Sequence, residues 1–151
     1  VGVGYDVTTA SGDNAPSPLA ILVHKENATD ALSLDELREI MKGERKFWTG
    51  SVPIALLTRE KGSEARQRIL EKVYELDEKD YSRYWLKQIY RGKAVAPPKV
   101  LASEQEMIEA VAKNPSAIGY ANVATAPEGL KILTLDGKRP SDKGYFFMQS
   151  E

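Results

Sequence analysis

Apolar positions along the chain fall into short runs and helical stripes that alternate with polar turn segments. Leu19-Ala20-Ile21-Leu22-Val23 is an unbroken apolar run bounded by turn residues, which predicts an interior strand. Ser33-Leu34-Asp35-Glu36 has the Ser-x-x-Glu spacing of a capping box and opens a short helix to about Met41, stopped by Gly43. Residues 52–58 predict a second strand. Beyond Arg59-Glu60-Lys61-Gly62-Ser63, the stripe of Ala65, Ile69, Leu70 and Val73 predicts a helix over about 64–74. Asp77 is placed to cap a third helix through about Tyr90, with Tyr81, Tyr84, Trp85 and Ile89 facing inward and Gly92 ending it. After Pro97-Pro98, an extended piece over 99–102 leads to a second capping box, Ser103 with Glu106. The helix it opens carries Met107, Ile108 and Val111 and ends at Asn114-Pro115. Strands over 117–123 and 130–135 follow, and the tail carries Tyr145-Phe146-Phe147-Met148.

Strands alternating with helices predict an α/β fold, a three-layer sandwich with a mostly parallel or mixed sheet. Residues 1–18 are rich in Gly, Thr, Ser, Asp, Asn and Pro, and read as a loose lead-in with a short strand near 1–7. Residues 19–151 read as a single domain, since 151 residues are too few for two cores of comfortable depth. No internal repeat or low-complexity tract is present.

Composition narrows the chemistry. The 21 Lys+Arg nearly cancel the 22 Asp+Glu, leaving a net charge of −1, so no global field favours nucleic acid or an anionic membrane. The apolar runs fall far short of the roughly 20 residues that span a bilayer, so no direct membrane insertion is expected. With no cysteine and one histidine, thiol catalysis, disulfides, Cys-based zinc sites and multi-histidine metal sites are excluded. No cofactor, no metal site and no catalytic residue is expected. The chain starts at Val1 and not Met, which reads as a mature product whose signal peptide has been removed.

Chemistry concentrates at the strand-to-helix junction over 59–66. Helix amides there point back at Gly62 and Ser63, and a helix N-terminus attracts anions through those amides and its dipole. Ser63 can donate a hydroxyl, Gly62 allows close backbone approach, and Arg59 can present a forked guanidinium. The plainer alternative is that Ser63 only caps its helix and Arg59 is a solvated charge; Glu64 in the first turn suits that alternative. The carboxylates Glu71, Glu75, Asp77, Glu78 and Asp80, interleaved with Lys72 and Lys79, read as a solvated face and not a hydrolase pair. His24 reads as a satisfied strand-end histidine, and a hydrolase would depend on it for a base. Tyr81, Tyr84, Trp85 and Tyr90 alternate with basic residues, but their helical spacing favours packing over base stacking. Phe47-Trp48 can equally line a pocket or fill one.

Four segments in order resemble the phosphate-binding proteins of ABC transporters, the type II periplasmic binding proteins. They are the strand from Leu19; Leu32-Ser33-Leu34-Asp35-Glu36-Leu37 with Gly43 and Phe47-Trp48; the strand with its Arg-x-x-Gly-Ser loop at Arg59, Gly62 and Ser63; and Ala117-Ile118-Gly119-Tyr120. The resemblance implies one lobe of such a protein, in a compact single-lobe member, with Arg59, Gly62 and Ser63 as oxyanion contacts. It implies a non-catalytic domain, periplasmic or extracellular, binding a small oxyanion such as phosphate weakly and working with a membrane transporter or another protein. Two features depart from the family: Glu64 and Ala65 stand where Gly or Ala and then Thr are usual, and the length suits one lobe of two. A ligand-free structural or protein-interaction module that retains the fold is the alternative.

Overall fold

The computed structural model describes residues 18–147. The lead-in expected over 1–18, with its strand near 1–7, therefore lies outside the described residues except for Pro18, as does Met148.

The chain runs β1 (Ala20–His24), β2 (Ala31–Leu32), α1 (Leu34–Met41), β3 (Phe47–Trp48), β4 (Val52–Pro53), β5 (Ala55–Arg59), α2 (Glu64–Ile69, continued by a π-helical turn over Leu70–Tyr74), α3 (Glu78–Tyr90), β6 (Lys99–Leu101), α4 (Glu104–Lys113), β7 (Ala117–Ala121), β8 (Leu130–Ile132) and β9 (Thr134–Leu135). Five strands form one sheet in the order β6-β5-β7-β1-β8. β5 runs parallel to both β6 and β7, while β1 is antiparallel to β7 and β8, so the sheet is mixed. β2 pairs with β9 in parallel, and β3 with β4 in a tight hairpin.

Burial follows the expected pattern. Leu19 to Val23 are all fully buried, which is why β1 reads as a continuous apolar run with both faces covered. On β7, Gly119 lets α4 approach: a Cβ there would lie 2.6 Å from Met107 Sδ and 3.0 Å from Val111 Cγ2. Strand alternation turns Tyr120 to the other face, where its hydroxyl meets β5 (Thr58 Oγ1, 2.7 Å). Tyr81 of α3 reaches Thr58 and Tyr120 on that side, so helices cover both faces and give the three-layer α/β sandwich.

Three local expectations are corrected, and the helix expected over 64–74 is found at that extent with a different last turn. The strand read over 52–58 is broken at Ile54, whose amide goes to the Lys46 carbonyl at 2.9 Å and so serves the β3–β4 hairpin before β5 begins. The strand read over 130–135 divides at Leu133, whose amide turns to the Ile21 carbonyl. The helix over 64–74 changes to a π turn at Leu70 and stops at Glu75, which is left-handed at φ 58°. At Ser103 the box is only half formed: its hydroxyl accepts from the Glu106 amide, but the Glu106 carboxylate reaches the Ala102 amide one residue earlier (3.1 Å). The Ser33–Glu36 box is complete, and Asp77 caps α3 as read.

Candidate functional site

The connections of the sheet place the Arg-x-x-Gly-Ser loop. β5 leaves toward β6 on one side, whereas β7 leaves toward β8 on the other, beyond β1. Where two parallel neighbours exit in opposite directions, a crevice opens beyond their carboxyl ends, and open α/β sheets bind ligands there. Arg59 is the last residue of β5 and sits at that point; Tyr120 is next to last on β7.

Hydrogen bonds fix the loop's entry. The Tyr120 hydroxyl accepts from the Arg59 amide at 2.9 Å and lies 2.7 Å from Thr58 Oγ1. Burial pushes that phenol's pKa up, so it stays a neutral bridge between the two strands. The Arg59 carbonyl accepts from Arg66 Nη1 at 2.9 Å. Arg66 is only 7% exposed; its guanidinium is held side-on by Glu78 at 2.9 and 2.8 Å and lies 4.8 Å from the centre of the Tyr81 ring. A desolvated arginine so fully engaged acts as a clamp on the strand exit.

The expected contact residues come together in this loop. Gly62 has φ +94°, a conformation side chains resist, and nothing lies within 4 Å of where its Cβ would be. Ser63 is the N-cap of α2: its hydroxyl oxygen accepts from the Arg66 amide at 3.2 Å, and its own amide goes to the Glu60 carbonyl, also at 3.2 Å. The capping role is therefore real, and it leaves the hydroxyl proton available to donate. Arg59 is not a solvated surface charge. Its side chain is 12% exposed, with Nε donating to Glu60 Oε1 at 2.9 Å and Nη2 to Oε2 at 3.3 Å. That hydrogen bonding holds the Glu60 carboxyl below the usual carboxylate range. Glu64 is exposed in the first turn.

Sequence reading missed Glu60, Arg66 and Tyr120 as parts of this site. Arg66 had a visible signal, a cation at the third helical position where the other two serine-capped helices carry glutamate. Tyr120 gave none, because its partner lies 61 positions away.

The remaining candidates take structural roles. The His24 Nδ1 accepts from the Glu26 amide at 3.0 Å, a satisfied strand-end histidine. Among the acidic cluster, Asp77 caps α3 and Glu78 pairs with Arg66, and no metal-binding group of acidic or histidine side chains occurs among the described residues. Phe47-Trp48 forms β3 and does both things. Trp48 is buried with Nε1 on the Ser116 carbonyl at 2.9 Å, while Phe47 is exposed on an apolar groove of about 470 Å³ beside Ile54 and Trp85. Lys46 crosses beside that groove to the carbonyls of Gly43 and Lys93, just past the C-terminal ends of α1 and α3, where a cation suits both dipoles. No helix of the described residues is long and apolar enough to cross a membrane.

Comparison with curated proteins gives no match. Among solved structures, the chain is similar to a Clostridium perfringens protein assigned as a phosphate ABC transporter substrate-binding protein, with phosphate bound: TM-score 0.68, 21% identity, covering 83% of this chain and 48% of that one. An ABC-type phosphate transport receptor from Vibrio cholerae gives a TM-score of 0.66 at 21% identity, covering 84% of this chain and 50% of its own. PstS from Borrelia burgdorferi gives 0.69 at 16% identity, covering 98% and 73%. The chain thus spans about half the length of the first two, and at these identities the likeness is one of fold. The model of the PBP superfamily domain matches residues 15–148, so the chain belongs to the PBP superfamily, with the fold of one lobe of a type II periplasmic binding protein.

Proposed function

We propose that this domain is a non-catalytic solute-binding module that holds a small oxyanion such as phosphate, weakly, at Arg59, Gly62 and Ser63. The observation that carries the reading is the position of Arg59-x-x-Gly62-Ser63 at the carboxyl end of β5, where the sheet's connections diverge and a helix begins. The Ser63 hydroxyl, the first amides of α2 and the Arg59 guanidinium can converge on one tetrahedral anion. Phosphate in the Clostridium perfringens neighbour supports the ligand class. By itself this lobe holds a ligand weakly, because contacts from a single side bury less of it than closure between two lobes. The domain acts outside the cytoplasm, periplasmic or extracellular, beside a membrane transporter or another protein.

Titration calorimetry with phosphate, sulfate and carboxylates tests this. Heat with phosphate that is lost in Arg59→Gln is expected, whereas no heat with any of the anions would end the reading. A second reading, a ligand-free interaction module, is favoured by Glu60, which already occupies the Arg59 fork. It requires a silent calorimeter and a partner protein bound without anion.

A further inference from the structure

Arg59 and Glu60 are consecutive, yet their side chains meet side-on through two bonds, Nε to Oε1 at 2.9 Å and Nη2 to Oε2 at 3.3 Å. This parallel arrangement is the one a guanidinium offers to a carboxylate or phosphate from outside. The two halves are not equally held. The Arg59 side chain is 12% exposed against 40% for Glu60, and the Arg59 main chain is tied on both sides, to Tyr120 and to Arg66. Glu60 is the half that can swing into water at little cost.

Resting on the oxyanion reading above, we propose that Glu60 is an internal carboxylate that closes the Arg59 fork and must be displaced by the ligand. The site therefore takes doubly charged tetrahedral oxyanions and rejects monocarboxylates. Selectivity follows from exchange. A monocarboxylate at Arg59 replaces one carboxylate by its equal, against a tethered competitor whose effective concentration is on the order of millimolar or higher. Hydrogen phosphate or sulfate brings a second charge and further acceptor oxygens, which the Ser63 hydroxyl and the first α2 amides can meet. Discrimination then comes from a built-in rival as much as from an attractive contact.

The test titrates inorganic phosphate and acetate into the full chain and into Glu60→Gln, which keeps the shape and removes the charge. In parallel, the Glu60 carboxyl of the unaltered protein is followed by NMR through a pH titration, with and without saturating phosphate. Glu60→Gln should bind phosphate about two- to fivefold tighter, the range that loss of a half-exposed ion pair allows. Acetate heat should be absent in the parent chain and present in the variant. Bound phosphate should return the Glu60 titration toward the ordinary carboxylate range. Phosphate binding that is no tighter in Glu60→Gln, or a Glu60 titration unmoved by bound phosphate, would overturn the proposal and make Glu60 a positioning residue. The NMR arm needs no substitution, so it decides even if the variant folds poorly. Silence of both proteins toward phosphate would overturn the oxyanion reading itself, and this inference with it.

Discussion

Ser33 and Ser63 begin their helices with the same bond, a hydroxyl oxygen accepting the amide three residues on, at 3.0 and 3.2 Å. The residue supplying that amide differs in charge. At Ser33 it is Glu36, whose carboxylate returns to the Ser33 amide at 2.8 Å and closes the helix start on itself. At Ser63 it is Arg66, whose guanidinium turns away to the Arg59 carbonyl and to Glu78, while the Ser63 amide goes to the Glu60 carbonyl instead. A helix start sealed by its own glutamate is a joint. One without that seal, beside Arg59 where the connections of the sheet diverge, is suited to an anion from outside.

Arg66→Ala should separate the two starts most sharply. It leaves Glu78 and the Arg59 carbonyl without their buried partner and should cost about 3 kcal/mol in urea unfolding. Any phosphate heat should go with it, whereas an equal loss of stability with binding intact would show that the clamp does not shape the site. A smaller effect distinguishes the starts by pH. Burial raises the pKa of Tyr120, which holds the Arg59 amide, and of Tyr81, whose ring lies against Arg66, above the usual phenol value. Their unfolded forms lose protons first as pH rises, so this stability is complete below pH 10 and falls above it. Urea unfolding should show stability declining as the pH rises past 10, and a flat midpoint to pH 11 would contradict it.

Much of this contrast was legible in the sequence. Ser-x-x-Glu and Asp77 marked three helix starts, and the run from Leu19 marked a buried interior strand, because caps and apolar runs are local signals. The antiparallel direction of β1 was not, since strand direction is set by pairing with residues about a hundred positions on. The π turn at Leu70 left no trace in the stripe of Ile69, Leu70 and Val73, whose burial satisfies either winding. Of the candidate site, the strand-to-helix loop carrying Arg59, Gly62 and Ser63 was legible as a local element, and the resemblance to a family motif proposed its contacts. Its supports were not legible, because Tyr120 and Glu78 reach it through contacts that only the fold creates.

The comparison is tested most directly by titrating phosphate into Ser33→Ala and Ser63→Ala. Each substitution removes one cap bond and should cost about 1 kcal/mol of stability. The account predicts phosphate binding unchanged in Ser33→Ala and weakened at least fivefold in Ser63→Ala, the loss of one charge-assisted hydrogen bond to the anion. Equal binding in both variants would contradict it and reduce Ser63 to a cap like Ser33.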